Sequence, residues 1–361
     1  AAEPSPAGEG DDGAAPWDAE DWVRSTLSAS PLASQGYAPH LSEAADAVLG
    51  LRARLLASED AAFAKQAWSR LMKHGRMLKE VAEVLPVVVR AMRWVVEEAD
   101  PADGPVTVLD LCSGVGYMSI LMSEMLRARG QEGRVRRFVL VDTAFPQRGL
   151  EVKPHHINPA HLLAEPGLFP HEMWPKKCDI KKGLGLKSLQ DRVLANADGP
   201  VAVLAVHLCG TLSLQAVRLF NGHPRCGFLA LKPCCLPPVG LAKQKFVWTL
   251  GGRTIEARDV AAAGRYSKNK WVGPTTKSSL APRFRRWFEE LSASVQPGEG
   301  GAVETDDLKL VEDSSGSHYQ TLFCFAKRRY RDQEGEFEDI GGAPDWLVER
   351  NLKGMKRAEE G

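Results

Sequence analysis

The first hundred residues carry apolar side chains at helical spacing. Two stripes show this period: Ala44, Val48, Leu51 and Leu55, and then Leu78, Val81 and Leu85. A break is expected near Ser58, and a fresh helix is expected to begin at Pro86, because proline is favoured at the first helical position. Residues 17–100 are therefore predicted to form a helical layer that packs on the rest of the chain.

From residue 106 onward, short continuous apolar runs alternate with helical segments. Strands are predicted over residues 106–111, 138–141, 201–206 and 227–231, and helices over residues 118–129 and 212–220. Runs that are apolar throughout suit strands buried on both faces, which predicts an α/β fold with a mostly parallel sheet. Residues 308–312 and 319–326 flank a Ser-Ser-Gly-Ser turn and predict an antiparallel hairpin.

A small-residue loop follows the first predicted strand, in the segment VLDLCSGVGYMS at residues 108–119. Its glycines, Gly114 and Gly116, allow a ligand to approach the backbone, and the helix that begins there offers free N–H groups. A dinucleotide site would need a third glycine, and a phosphate-binding Walker loop would need a Gly-Lys-Ser/Thr sequence. Asp110 would repel a pyrophosphate, so the loop favours a ligand with a cationic amino group.

This segment resembles the first motif of class I S-adenosylmethionine-dependent methyltransferases, in which an acid precedes alternating glycines. The resemblance implies a Rossmann-like sheet with an antiparallel last strand, and S-adenosylmethionine as the cofactor. It also implies that Asp142 binds the ribose hydroxyls and that Asp179 contacts the adenine. The implied cofactor-binding residues are Asp110, Cys112, Ser113, Gly114, Gly116, Tyr117, Asp142 and Asp179.

Two later predicted strands are followed by segments rich in ionisable and thiol side chains. These segments are His-Leu-Cys-Gly at 207–210 and Lys-Pro-Cys-Cys at 232–235. This pair resembles a methyltransferase subgroup that includes acceptor-stem tRNA 2′-O-methyltransferases and uncharacterised eukaryotic methyltransferase-like proteins. Ligands of open α/β sheets lie outside the carboxyl ends of the strands, so these residues are expected to converge beside the methyl donor. The candidate catalytic residues are His207, Lys232, Cys234 and Cys235.

Three roles remain open for this cluster. His207 is a candidate proton acceptor, because imidazole titrates closest to neutral pH, and Lys232 would lower the pKa of the nucleophile. A zinc site of His207, Cys209, Cys234 and Cys235 is the weaker alternative, since successive strand side chains point to opposite faces. Each cysteine on its own is also typical of a buried, space-filling residue. The favoured prediction contains no metal.

Charge is distributed unevenly along a chain whose net charge is zero. Residues 134–290 hold 25 basic residues against 11 acidic ones, whereas residues 1–22 hold seven acids and no base. Bases beside aromatic residues are typical of phosphate-backbone binding and base stacking, although an acidic protein partner would favour the same pattern. The candidate substrate-binding residues are Lys153, His155, His156, Lys268, Lys270 and Trp271.

The expected organisation has four parts. An acidic, disordered tail at 1–16 precedes the helical region at 17–100, a methyltransferase domain covers 104–330 with a basic insertion at 236–296, and a tail covers 331–361. An amphipathic helix of Phe284, Trp287, Phe288 and Leu291 is expected to start near Pro282 in the insertion.

Seven scattered cysteines suit a reducing compartment, so an intracellular, cytoplasmic or nuclear protein is expected. No apolar run approaches the roughly 18 residues of a membrane span, and no secretory signal is apparent. An organelle is not excluded, since the sequence does not begin with methionine.

The predicted function is methyl transfer from S-adenosylmethionine, with RNA, and in particular tRNA, as the partner. Methylation of a protein or a small molecule is the alternative enzymatic function. A cofactor-binding interaction protein without catalytic activity is the non-enzymatic alternative. An Asn-Pro-Pro-Tyr-like motif is missing after the fourth strand, which disfavours methylation of a base amino group.

Overall fold

The computed structural model of the protein describes residues 18–163, 168–261, 265–267, 270–272, 277–310 and 321–330. The predicted tails at 1–16 and 331–361 lie outside these residues, as does Lys268. Among the described residues, no helix combines the length and the apolar character needed to cross a bilayer.

The amino-terminal region is helical, as predicted. Its helices are α1 (Ala19–Ser28), α2 (Ala38–Leu56), α3 (Ala61–Met72) and α4 (Arg76–Arg93), and a π-helical turn covers Trp94–Glu98. Asp18 and Asp60 accept hydrogen bonds from backbone N–H groups in the first turns of α1 and α3, which satisfies donors that a helix start leaves unpaired.

Pro86 does not begin a new helix, contrary to the expectation from sequence. It lies buried inside α4, which continues for seven further residues to Arg93. Proline removes one backbone hydrogen bond from a helix interior, and here the packing of the long apolar face of α4 on the sheet outweighs that loss. The residues on either side of Pro86 therefore belong to one continuous helix.

The central sheet of the described residues has seven strands in the order β10-β11-β5-β4-β1-β2-β3. All neighbouring strands from β5 to β3 pair in parallel, whereas β11 is antiparallel to both β5 and β10. The strands are β1 (Val106–Leu111), β2 (Val135–Asp142), β3 (Glu172–Lys177), β4 (Val201–Cys209), β5 (Cys226–Cys235), β10 (Ala302–Asp307) and β11 (Leu322–Lys327). This topology confirms the predicted α/β class with an antiparallel last strand.

Helices cover both faces of this sheet. They are α5 (Tyr117–Ala128), α6 (Ala160–Leu163), α7 (Gly183–Leu189), α8 (Leu212–Gly222), α9 (Val239–Lys243), α10 (Ala257–Val260) and α11 (Lys277–Ala293). Together with the strands they form two apolar cores, and α2, α4 and α5 share the first of these with one face of the sheet. Trp94 stacks on Phe228 of β5 with ring centroids 5.4 Å apart, which joins the helical layer directly to the sheet.

The predicted basic insertion contributes to the second core. It contains two small antiparallel hairpins, β6 (Val247–Leu250) with β7 (Arg253–Glu256), and β8 (Arg265–Ser267) with β9 (Lys270–Val272). The amphipathic helix exists as α11, but it begins at Lys277 and contains Pro282. Its four predicted apolar residues are all buried, and Trp287 packs against Trp248 of β6.

Two edge strands differ from the sequence-based prediction. β3 was not predicted at all, because its sequence EMWPKK is polar and contains a proline. The first strand of the predicted final hairpin lies at Ala302–Asp307 instead of 308–312, and residues 311–320 lie outside the described residues.

Candidate active site

Three acidic residues stand at or just beyond the carboxyl ends of three adjacent strands. Asp110 is the penultimate residue of β1, Asp142 ends β2, and Asp179 follows β3 by two residues. The sheet places these strands side by side in the order β1-β2-β3. The acids predicted separately from sequence thus line one edge of the sheet, where α/β folds bind their ligands.

The loop between β1 and α5 has a left-handed backbone at three positions. Cys112, Gly114 and Gly116 have φ angles of 58°, 55° and 94°, of which only the glycine angles are free of side-chain strain. A Cβ at Gly116 would lie 2.5 Å from Leu140 Cδ2, so the close packing of the loop on β2 requires glycine there. A Cβ at Gly114 would meet no atom within 4 Å, so this position borders open space.

Asp142 fixes this loop from the neighbouring strand. Its Oδ2 accepts a hydrogen bond from the Gly114 N–H at 3.1 Å, and its Oδ1 accepts one from the Ala144 N–H at 2.8 Å. Ser113 reinforces the connection, because its N–H donates to the Val141 carbonyl at 3.1 Å. Each carboxylate oxygen of Asp142 keeps a second lone pair, which is the capacity that a pair of ribose hydroxyls requires.

Asp110 is almost completely buried beneath the loop, with 1% of its surface exposed. Ser119 of α5 donates a hydrogen bond to Asp110 Oδ2 at 2.7 Å. Burial raises the pKa of Asp110 to about 7, since the Ser119 hydrogen bond only partly opposes the loss of hydration and Asp142 adds its negative charge. An acid in this state favours a cationic partner, because a nearby positive charge stabilises its ionised form.

Two predicted cofactor residues have other partners. The Tyr117 hydroxyl donates to the Leu71 carbonyl at 3.2 Å, so the side chain joins α5 to the helical layer and does not line the edge of the sheet. The Asp179 carboxylate accepts a hydrogen bond from the Lys181 N–H at 3.1 Å and lies 3.7 Å from Lys182 Nζ. Asp179 follows β3 by two residues, and its contact with adenine stays a prediction.

His207 lies opposite two glutamates that the sequence analysis did not identify. Its Nε2 is 3.2 Å from Glu83 Oε2 and 3.5 Å from Glu80 Oε2, both on α4. Glu80 and then Glu83 raise the pKa of His207, against the opposing effects of burial and of Lys232. The i,i+3 spacing of the two glutamates indicated a shared helix face, but no local pattern connected them with a histidine more than 120 residues away.

Lys232 lies inside the protein and is not exposed at the carboxyl ends of the strands, contrary to the prediction that it acts on the nucleophile. Its side chain is fully buried, with Nζ 3.7 Å from Glu83 Oε2 and 5.8 Å from the centre of the Phe323 ring. Burial lowers the pKa of Lys232, and Glu83 opposes that change. Burial would raise the pKa of Glu83, but His207 and Lys232 outweigh it and hold that pKa at about 2. Lys232 therefore acts electrostatically on Glu83 from within the protein.

The predicted alternative metal set divides into two groups. Cys209, Cys234 and Cys235 bring their three sulfur atoms within 4.8 Å of one another, whereas His207 groups with Glu80 and Glu83. The Cys209 and Cys234 Sγ atoms are 3.2 Å apart, and those of Cys234 and Cys235 are 3.6 Å apart. Hydrogen bonds with Cys234 and Cys235 lower the pKa of Cys209, whereas hydrogen bonds with Cys209 and Cys235 raise the pKa of Cys234. Cys234 itself is buried, so it does not face a substrate.

Basic residues surround the acidic edge of the sheet. Lys177 ends β3 and pairs with Asp142 in the strand register, and its charge faces His156. His155 and His156 stack edge to face at 4.4 Å in the loop after β2, where the Lys153 N–H donates to His156 Nδ1. Of the other predicted substrate residues, Lys270 and Trp271 lie in β9 and their side chains are outside the described part, as is the whole of Lys268.

A parallel sheet with an antiparallel last strand, a glycine loop after β1 and acids after β1, β2 and β3 together define a Rossmann-like class I methyltransferase fold. The Gly114 opening and the buried Asp110 fit a ligand that carries an amino group and lacks phosphate. The sequence-based expectation for the fold is therefore confirmed.

Residues 76–239 match the family model described as a methyltransferase domain. This domain uses S-adenosylmethionine as its methyl donor. The match begins at the first residue of α4, so it includes Glu80 and Glu83.

A solved structure of the plantazolicin methyltransferase BpumL in complex with SAH is similar over 77% of this chain and 94% of its own, with 11% identity and a TM-score of 0.33. No curated protein matches the sequence.

Proposed function

We propose that this methyltransferase acts on RNA and that its acceptor is a hydroxyl group. The observation that supports RNA is the set of exposed lysines around the donor loop, Lys153, Lys177 and Lys181. Among the described residues, none of these ammonium groups makes an ion pair. The charge of Lys181 acts on both Cys112 and Cys209, so it lies beside the ends of β1 and β4. Unpaired cations along a cleft attract a phosphate backbone.

His207 is the proposed proton acceptor. The glutamate oxygens lie 3.2 and 3.5 Å from Nε2, and their negative charge favours the neutral tautomer that carries its hydrogen on that atom. Nδ1 would then take the proton that the acceptor hydroxyl loses, since both carboxylates approach the ring at Nε2. Glu83 and Glu80 stabilise the imidazolium that this transfer forms.

The donor pocket supplies alignment. S-adenosylmethionine, when bound, provides the electrophilic methyl group. Asp142 and Asp110 are the residues that would hold its ribose hydroxyls and its amino group, and the open space at Gly114 would receive it. Holding donor and acceptor in line is itself a large part of the rate enhancement of such a reaction.

The decisive experiment offers the protein labelled S-adenosylmethionine together with total RNA or total protein. Label in RNA that is sensitive to ribonuclease is expected, and release of labelled 2′-O-methyl nucleosides on digestion would identify the hydroxyl. Label in protein would reject RNA in favour of the alternative enzymatic function. Cofactor binding without label in either pool would favour the interaction protein without catalytic activity.

Lysine variants test the supporting observation. Lys177→Gln and Lys181→Gln should each weaken RNA binding and lower the slope of log affinity against log salt by about 0.7–0.9. Arg136→Gln is the matched control, because Arg136 lies near the opposite end of β2 and pairs with Asp198. Equal slopes in all three variants would contradict a role of the lysines in RNA binding.

A further inference from the structure

The three thiols of Cys209, Cys234 and Cys235 are a site that methyl transfer as described above does not use. They lie at the carboxyl ends of β4 and β5, whose backbones pair Cys209 with Cys235. All seven cysteines of the chain carry free thiols, and only these three gather into a group among the described residues.

An irregular pairing of the two strands brings these side chains together. In a regular strand, consecutive residues such as Cys234 and Cys235 point to opposite faces. The register between β4 and β5 shifts on both sides of Leu208, and His207 adopts a φ of 61°, which is unusual for a residue with a side chain. Bulges and left-handed residues of this kind persist where the surrounding fold holds a functional geometry in place.

The segments that follow the two strands are also held together. Gly210 has a φ of 57°, and a Cβ there would lie 3.5 Å from the Leu236 carbonyl oxygen and 3.7 Å from Pro237 and Pro238. The turn after Cys209 and the proline-rich turn after Cys235 are therefore in contact. This contact joins the two turns that follow Cys209 and Cys235.

We propose that Cys209, Cys234 and Cys235 form a zinc site with one coordination position open. In a tetrahedral site with zinc–sulfur bonds of about 2.3 Å, sulfur atoms stand about 3.8 Å apart. The observed separations of 3.2 and 3.6 Å, and the 4.8 Å limit for the whole group, bracket that spacing. Soft thiolates select zinc over the hard cations that carboxylates bind, and three protein ligands with an open position are typical of non-structural zinc sites.

The electrostatic surroundings suit this ion. Three thiolates and one zinc ion carry a net charge of minus one, and the positive charges of His207 and Lys181 both face Cys209. The neighbouring group of Glu80, Glu83 and His207 is a poorer site, because the Lys232 ammonium already lies 3.7 Å from Glu83 and supplies a positive charge there. The charge of Cys209 acts on Cys112, so the thiols lie beside the loop after β1.

The test is the metal content of the full chain, purified without chelators after growth with zinc. One zinc ion per chain is expected in the unaltered protein and in the control Cys178→Ser, whose cysteine is buried elsewhere and donates to the Gly185 carbonyl. Cys209→Ser and Cys235→Ser should lose the ion, and both side chains lie on exposed residues, so the fold should persist. Retention of zinc in both variants would overturn the proposal.

Cobalt provides a measurement on the unaltered protein. Replacement of zinc by Co²⁺ should give thiolate-to-cobalt absorption and the visible bands of a tetrahedral ion. A protein that takes up neither metal overturns the proposal, as does one whose Cys209 and Cys234 are found as a disulfide under reducing purification. Failure of the RNA assay would leave this result intact, since metal content does not depend on activity.

Discussion

The ammonium of Lys232 and the carboxylate of Glu83 meet inside the protein, with Nζ and Oε2 3.7 Å apart. The same carboxylate lies 3.2 Å from His207, so one buried anion serves two cations on neighbouring strands. Nζ has no hydrogen-bond partner among the described residues, which leaves Glu83 as its principal compensation. The charge of Glu83 is consequently needed for the fold as well as for the site.

Glu83→Gln is expected to lower the free energy of unfolding by about 3–5 kcal/mol, because it leaves Lys232 buried without an opposite charge. Urea unfolding followed by circular dichroism measures the change. The double variant Glu83→Gln/Lys232→Met should recover most of the loss, since it removes the isolated cation. A single variant within about 1 kcal/mol of the unaltered protein, the size of an ordinary substitution, would refute the pairing.

The pH dependence of cofactor binding tests Asp110. With a pKa of about 7, Asp110 is mostly neutral at pH 6 and mostly ionised at pH 8. The affinity for S-adenosylhomocysteine should therefore rise several-fold over that interval, as the carboxylate gains the charge that attracts the ligand amino group. Calorimetry at a series of pH values measures this change. Asp110→Asn should bind more weakly and lose the slope, and an unaltered protein with constant affinity would exclude the proposed contact.

Two glycines of the loop should separate stability from binding. Gly116→Ala meets Leu140 and requires a strained φ, so about 1–3 kcal/mol of stability should be lost. Gly114→Ala has the φ strain without the clash, so it should destabilise less, yet its methyl group occupies the proposed cofactor space. Urea unfolding and calorimetry on both variants are the measurements. The prediction fails if Gly114→Ala binds S-adenosylhomocysteine as tightly as the unaltered protein.

His207→Ala should reduce turnover by about 10²–10⁴-fold, the usual contribution of a general base, without a change in cofactor affinity. In the unaltered protein turnover should rise with pH through a value above the ordinary histidine pKa, because the glutamates stabilise the imidazolium and only the neutral ring accepts a proton.

The variant Glu80→Gln tests the cause of this dependence of turnover on pH. Glu80 has the largest influence on the pKa of His207, so its loss should move the rising limb to lower pH. A merely structural role of Glu80 would lower turnover equally at every pH. Unchanged turnover in His207→Ala would rule out the histidine as the base.

The buried strands of the sheet could be predicted from sequence because a strand that is buried on both faces consists of consecutive apolar residues. β1 agrees with its predicted bounds. β4 begins where predicted and β5 one residue earlier, and both run further into the site than predicted. β3 and β10 were missed or misplaced because they form the two edges of the sheet. An edge strand carries charges and tolerates proline, as Pro175 shows, so its sequence resembles a loop.

The residues proposed to bind the methyl donor could also be predicted, because their signals are local in the sequence. The acids at Asp110 and Asp142 follow strands directly, and the glycines between them report a backbone requirement that is local in sequence. The surroundings of His207 could not be predicted, because Glu80 and Glu83 approach it only through the packing of α4 on the sheet. The interior position of Lys232 likewise depends on a carboxylate supplied from that distant helix.

Because two carboxylates on α4 face His207, the pKa of this histidine depends on the position of α4 in the helical layer. A helix advances 1.5 Å and turns 100° per residue, so a shift of α4 by a single residue would carry both carboxylates away from the imidazole. Whatever binds the outer surface of this layer and displaces α4 would thereby change the basicity of His207 without touching the cleft.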